Sequence, residues 1–406
     1  MLLIILVGQE ILFRAMFPIP EIEKFNRIRY QQMAQSPPEI GKAMERGLVY
    51  GRLLLESSPD GFSFTHDLNI YGFRGPDFRA DPTPGRRRIV VVGDSVVEGQ
   101  GASGSDTITA EWSRLLTRDG IDAEVINLGV IAATLPHIWI LTRDAVRLLQ
   151  PTDVVVALYP NDLPAPFIPN AFNLPPPQFP RAPDAAMEPR LVDLIDRMIY
   201  EKPIHRRWFH LPMRGFLPAP DGSNPFSLDQ ECPKDLRPDL FEAMKTARLN
   251  PWLYAQSKEI GKQLAHDFSQ GGTPRDYLAA MADVCAQFRA KLYIAYNPFC
   301  GVVNPRYAPA LIDAGMDPEI ANGLAVDPKY RNQNRVVAEI CQDLKLPLAD
   351  STEALRAAEA DGPQFWLYDT HPNAAGYATI ARGLHEMWKA ENSPQAAAAP
   401  TGTPPS

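Results

Sequence analysis

The chain has 406 residues, 45% hydrophobic and 22% charged, which suits a folded globular protein and excludes wholesale disorder or a polytopic membrane protein. Forty basic residues against 48 acidic ones give a net charge of −8, and no Lys/Arg-rich stripe offsets it, so nucleic acid is not an expected partner. Proline, at 41 residues, is about twice as common as usual and points to long ordered loops.

The opening MLLIILVG, followed by Gln9, Glu10 and Ile11-Leu12-Phe13, is apolar but too short to span a bilayer. Residues 1–30 are therefore expected to form a packed helix, an interfacial anchor or the end of a signal anchor. From Arg88 onward, short β-branched runs alternate with amphipathic helical patterns, the signature of parallel strands joined by crossover helices. IVVVGDS (Ile89 to Ser95) reads as a buried strand ending in a turn, and Ile108, Trp112, Leu115 and Leu116 then mark one face of a helix. AEVINLG (Ala123 to Gly129) is the second strand. A helix bearing Ile138, Leu141, Ala145, Leu148 and Leu149 leads to the third, DVVVALY (Asp153 to Tyr159). The rhythm then breaks over residues 163–272, an insertion opening on a proline-rich stretch and expected to be a lid, a binding element or partly disordered. It resumes with a helix around Leu278, Met281, Cys285 and Phe288, the strand KLYIAYNP, a helix from Val336 to Leu344, the short strand LPLAD and a last helix from about Asn373 to Lys389. Residues 391–406 are Pro/Ala/Thr-rich and expected to be disordered. The pattern predicts a three-layer, flavodoxin-like α/β domain over 60–390, with five parallel strands and an insertion after the third.

In an open parallel sheet, side chains just beyond the carboxyl ends of the strands gather at one edge. Ser95 follows the first strand, Gly129 ends the second, Asn161 and Asp162 follow the third, and Asp369-Thr370-His371 open the last helix. A serine hydroxyl becomes nucleophilic when an imidazole accepts its proton, and a carboxylate fixes that imidazole's tautomer. Ser95, His371 and Asp369 can fill these roles, with the Ser95 N–H, the Gly129 N–H and the Asn161 amide as oxyanion donors. Each signal alone has a plain structural explanation: helix cap, turn, or helix start with Pro372 in its first turn. Their joint occurrence at strand ends is what points to acyl transfer.

On these residues the chain resembles the SGNH or GDSL hydrolases. VVVGDSVVEGQG is similar to the family's first block, with Ser95 at the nucleophile. INLGV is similar to the second, with Gly129 at the oxyanion glycine, and YPND to the third, with Asn161 at the oxyanion asparagine. DTHPNAAGY is similar to the last, with Asp369 and His371 at the acid and base. The resemblance covers residues 66–162 and 275–390 and departs at two points. Tyr159 stands where the family usually has glycine, and only Thr370 separates acid from base where two residues are usual. The shorter spacing resembles relatives that act on acetylated exopolysaccharides. Upstream, LNIYGFRGPDF (Leu68 to Phe78) resembles a segment of membrane-anchored bacterial members; it implies an envelope location, while Asn69 and Arg74 themselves read as parts of a hairpin or turn. The resemblance implies an esterase acting on a small-molecule or carbohydrate ester without a cofactor. A polysaccharide O-acyltransferase with the same triad and a catalytically silent carbohydrate-binding module are the alternatives.

Other motifs are excluded or inert. G-x-S-x-G is absent, since Gly93-Asp94-Ser95 runs into Val96-Val97, and no GK[ST] follows to make a P-loop. Asp94 and Glu98 lack the partners of a metal site, so no metal is expected. HRRWFH (His205 to His210) reads as a solvated loop anchored by Trp208, with a grip on an anionic substrate or lipid headgroup as the alternative. Cys232, Cys285, Cys300 and Cys341 form no CxxC pair; buried thiols are the leading reading, one disulfide the alternative.

Overall fold

The computed structural model describes residues 8–9, 11–12, 51–56, 63–69, 73–76, 78–79, 81–130, 133–163, 226, 230–245, 249–250, 253–266 and 273–393. Its centre is a five-stranded sheet of β3 (Arg87–Gly93), β4 (Ala123–Gly129), β5 (Asp153–Leu158), β6 (Lys291–Tyr296) and β7 (Leu348–Asp350). The spatial order is β4-β3-β5-β6-β7 and every pairing is parallel. This is the flavodoxin-like order, in which the strand sequence reverses beside the first strand of the sheet and opens a crevice at the carboxyl edge. A separate antiparallel pair, β1 (Gly51–Glu56) and β2 (Ser63–Leu68), precedes it; the strand periodicity read from the sequence does not include this hairpin.

The central strands are continuous apolar runs because both faces are covered. Val90, Val92, Val154, Val156 and Leu158 point into one core, with α3 (Leu135–Leu149), α6 (Thr273–Gln287) and α10 (Asn332–Leu344) packed over it. Ile89, Val91, Val155 and Ala157 point into the other, beneath α1 (Ser95–Glu98), α2 (Ile108–Arg118) and α12 (Ala374–Glu391). Trp112 of α2 and Trp388 of α12 meet edge to face at 6.2 Å within that second layer. Three layers follow from this alternation, as the pattern of elements predicts.

Within the 163–272 insertion, the described part contains α4 (Pro238–Lys245) and α5 (Leu253–Ala265), with a small core of their own around Phe226, Leu240, Phe241 and Met244. The remaining helices α7 (Cys300–Val303), α8 (Ala308–Asp313), α9 (Pro318–Gly323) and α11 (Thr352–Ala358) follow β6 and β7. All four cysteines are free; Cys285, Cys300 and Cys341 are the expected buried thiols, whereas Cys232 is half-buried. Of the expected N-terminal helix only Gly8, Gln9, Ile11 and Leu12 are described, helical and exposed. No helix among the described residues is long and apolar enough to cross a membrane. The 391–406 tail lies outside the described residues beyond Ser393, as does the HRRWFH segment.

Candidate active site

The β3–α1 turn brings Ser95 to the carboxyl edge of the sheet. Asp94 caps α1, its Oδ1 accepting the Val96 N–H at 2.9 Å, and Ser95 is the first helical residue. Ser95 N–H, like the first amides of any helix, has no intrahelical acceptor. A four-residue helix does not hold itself together, so tertiary contacts must fix it. Val96 and Val97 are fully buried beneath it, and Asn127 of β4 donates from Nδ2 to Val97 O at 2.6 Å.

From the far end of the chain, a small loop closed by the Phe365–Pro372 bridge carries the other two residues. Trp366 N–H donates to His371 O at 3.0 Å and Thr370 N–H to Trp366 O at 3.2 Å. Thr370 sits at φ +69°, a conformation rare for a β-branched residue, and tightens the turn between acid and base. With the chain turned at Thr370, the single-residue spacing still brings acid and base into contact. His371 Nδ1 lies 2.6 Å from Asp369 Oδ1, and His371 Nε2 lies 2.8 Å from Ser95 Oγ. Ser95, His371 and Asp369 are thus joined in a hydrogen-bonded row, each at most 7% exposed. Burial pulls the His371 pKa down, but the Asp369 carboxylate, its hydrogen bond and the charge of Asp94 outweigh it and hold the imidazole above its ordinary value. The described residues contain no cluster able to hold a metal ion.

Gly129 requires a correction. Its N–H donates to Asn127 Oδ1 at 2.8 Å, so it is committed inside β4 and is not a spare oxyanion donor. The glycine answers a steric demand instead, since a Cβ there would overlap the Glu98 backbone nitrogen and the Val97 carbonyl carbon of α1. Asn161 lies just beyond β5, the strand beside β3, and makes no direct bond to the triad. Its Nδ2 donates to no acceptor among the described residues, while its Oδ1 is buried without a partner.

Several neighbours to which sequence reasoning assigned no catalytic or positioning role complete the site. Tyr159, the departure from glycine, lays its ring parallel to the His371 ring with centroids 6.5 Å apart, so it walls the imidazole. Gln100 donates from Nε2 to Asp369 Oδ2 at 3.5 Å. Its loop is held by side chains distant in sequence. Arg74, 1% exposed, donates to Ala102 O at 2.8 Å and Gly99 O at 3.4 Å. Tyr377 OH donates to Gln100 O at 2.7 Å and Trp366 Nε1 to Gly101 O at 2.8 Å. Every carbonyl from Gly99 to Ala102 therefore has a side-chain donor.

Asp94 and Asp162 form a buried pair of carboxyls behind the row. Burial pushes Asp94 up to about 6, against the lowering effects of its Val96 hydrogen bond and of His371. Asp162, whose Oδ2 accepts the Tyr159 N–H at 2.7 Å, is pushed well above the carboxylate range by burial and then by Asp94.

No family model matches the chain, and it matches no curated protein. Among solved structures it is similar to a lipase/acylhydrolase from Enterococcus faecalis at 13% identity, covering 75% of this chain and 96% of that one, with a TM-score of 0.37. It is also similar to TesA at 14% identity, over 75% of this chain and 99% of that one, with a TM-score of 0.36. For a variant of an acetylxylan esterase from Geobacillus stearothermophilus the figures are 11% identity, 74% and 93% coverage and a TM-score of 0.36. Likeness at this level carries nothing about activity, so the chemistry is read from the side chains themselves.

Proposed function

We propose that the protein is a serine esterase of the SGNH type that cleaves an oxygen ester through a Ser95 acyl-enzyme. The observation that carries this reading is the row Asp369–His371–Ser95, with hydrogen-bond lengths of 2.6 and 2.8 Å at the carboxyl edge of the sheet. Ser95 Oγ attacks the ester carbonyl carbon while its proton passes to His371 Nε2, and Asp369 holds the ring through Nδ1. The carbonyl oxygen becomes an oxyanion facing the Ser95 N–H and the Asn161 amide. Collapse breaks the bond to the alcohol, which leaves with the proton from His371. A water molecule repeats the cycle, giving its proton to His371 and releasing the acid and a free serine.

A carbohydrate acetyl ester is the substrate class we favour, on the short Asp-Thr-His spacing. The apolar N-terminal segment and the LNIYGFRGPDF motif support a location at the cell envelope. The test is a panel of chromogenic esters, from acetyl to long acyl chains and including acetylated sugars, run on wild type and Ser95→Ala. Turnover lost in Ser95→Ala supports the reading; equal turnover in both proteins refutes it. Addition of a free sugar acceptor, with analysis of the products, separates hydrolysis from acyl transfer, because water and a sugar hydroxyl are interchangeable acceptors for an acyl-enzyme.

A further inference from the structure

Asp94 is fully buried, yet only one of its oxygens is occupied in capping α1. The other, Oδ2, faces Ser95 Oγ at 3.4 Å. The serine hydroxyl thus has two acceptors in reach, His371 Nε2 at 2.8 Å and Asp94 Oδ2 at 3.4 Å. Taken together, these legs place the Asp94 carboxylate within about 6 Å of Nε2, the range over which an unlike charge moves a pKa by one unit or more.

We propose that Asp94 is a second carboxylate serving the Ser95–His371 pair, a positioning residue that caps the nucleophile's helix with one oxygen and lays negative charge beside the forming imidazolium with the other. The proposal rests on the reading of Ser95 as nucleophile. When the Ser95 proton moves to Nε2, the cation it creates lies between Asp369 on the Nδ1 side and Asp94 on the Nε2 side. Asp94 does not take the proton, since His371 is the nearer acceptor. The groups that face the pair are few. Asp369 lies on the histidine's own loop, Tyr159 comes from the end of β5, and Asp162 from the turn after it. Tyr377 of α12 lies close enough for Asp94, Asp369, Glu98 and Arg74 all to act on its hydroxyl. Burial and then Asp94 push the Asp162 carboxyl well above the carboxylate range, so it gives up its proton reluctantly beside Asp94.

The test is Asp94→Asn, which keeps an oxygen for the Val96 N–H, removes the charge and replaces the acceptor facing Ser95 Oγ with an amide NH2. In full-length protein with labelled imidazole carbons, the His371 resonance is assigned by its absence in His371→Gln and titrated in wild type and Asp94→Asn. The expected result is a His371 midpoint about one pH unit lower in the variant. The acidic limb of kcat/KM on a chromogenic ester moves down with it, the plateau kcat falls about tenfold, and KM stays unchanged. Asp94→Ala gives the same His371 shift together with lower stability than Asp94→Asn, because Val96 loses its acceptor. A His371 midpoint unchanged within about 0.2 pH unit in Asp94→Asn overturns the proposal and leaves Asp94 a helix cap alone. Full turnover by Ser95→Ala would instead overturn the esterase reading while the titration still reports whether the two side chains are coupled.

Discussion

The charge of Asp94 has a consequence for stability that is independent of any substrate. Its carboxyl titrates at an ordinary 3.8 when unfolded and at about 6 when buried beside Ser95, because folding strips water from the anion faster than the Val96 N–H and His371 replace it. A folded pKa raised above the unfolded one means that the native state holds the proton more tightly. The associated stability is complete below about pH 4 and is lost as the pH rises through about 6. At pH 8 the buried anion therefore costs about 3 kcal/mol, at 1.36 kcal/mol for each unit of pKa. Asparagine has nearly the same shape and is as good a helix cap. Asp94→Asn should thus stabilise the fold by about 2 to 3 kcal/mol at pH 8, with the gain fading towards zero near pH 4, where wild type carries a neutral acid at the same place. Urea unfolding of both proteins at pH 8 and near pH 4, each fitted for midpoint and slope, measures it. An absent gain at pH 8, or an equal gain at both pH values, refutes the assignment of a strained anion to this site. Together with the expected fall in kcat, the result would show a charge kept at the expense of stability.

Three further outcomes follow from the same geometry. His371 is held above its ordinary value and must be neutral to accept the Ser95 proton, so kcat/KM should decline as pH falls through a midpoint above about 6.5; a pH profile flat down to pH 5 contradicts this. Arg74→Met leaves the buried Ala102 carbonyl without its donor and should lower stability by about 2 kcal/mol, with a loss of kcat as the Gln100 loop loosens, read by denaturation and by ester turnover. Gly129→Ala forces a Cβ into the backbone of α1 and should cost about 3 kcal/mol or more, whereas a glycine serving only as an amide donor would tolerate the methyl; thermal unfolding distinguishes the two.

The sheet was legible because buried parallel strands are spelled as short runs dominated by β-branched and other apolar residues, and RRIVVVG, AEVINLG and DVVVAL have no competing helical periodicity. The triad was legible for a related reason: a parallel sheet delivers strand ends to one edge, so polar residues after strands can be grouped without knowing their distances. That same rule misassigned Gly129. A glycine at a strand end satisfies a need for an open amide and a need for an absent side chain equally well, and only the position of α1 above it decides between them. Arg74 was read as part of a hairpin or turn, Asp94 only as an incomplete metal ligand, and Gln100 carried no reading, because their roles depend on burial or on partners as far as 269 residues away, and neither leaves a periodic trace.

The upstream motif and the nucleophile block are linked by a physical requirement. Ser95 stands on a helix of four residues, too short to be stable by its own hydrogen bonds. The loop that follows contains Gly99 and Gly101, both at positive φ, and has little intrinsic stiffness. Its geometry must therefore come from outside, and the donors arrive from three places: Arg74 before the sheet, Trp366 in the loop of the acid and base, and Tyr377 on α12. Two of these three flank Asp369 and His371 in sequence. Any displacement of the acid–base loop therefore pulls on the carbonyls behind the nucleophile, and the relative position of hydroxyl and imidazole is set by shared hydrogen bonds as much as by the 2.8 Å contact between them.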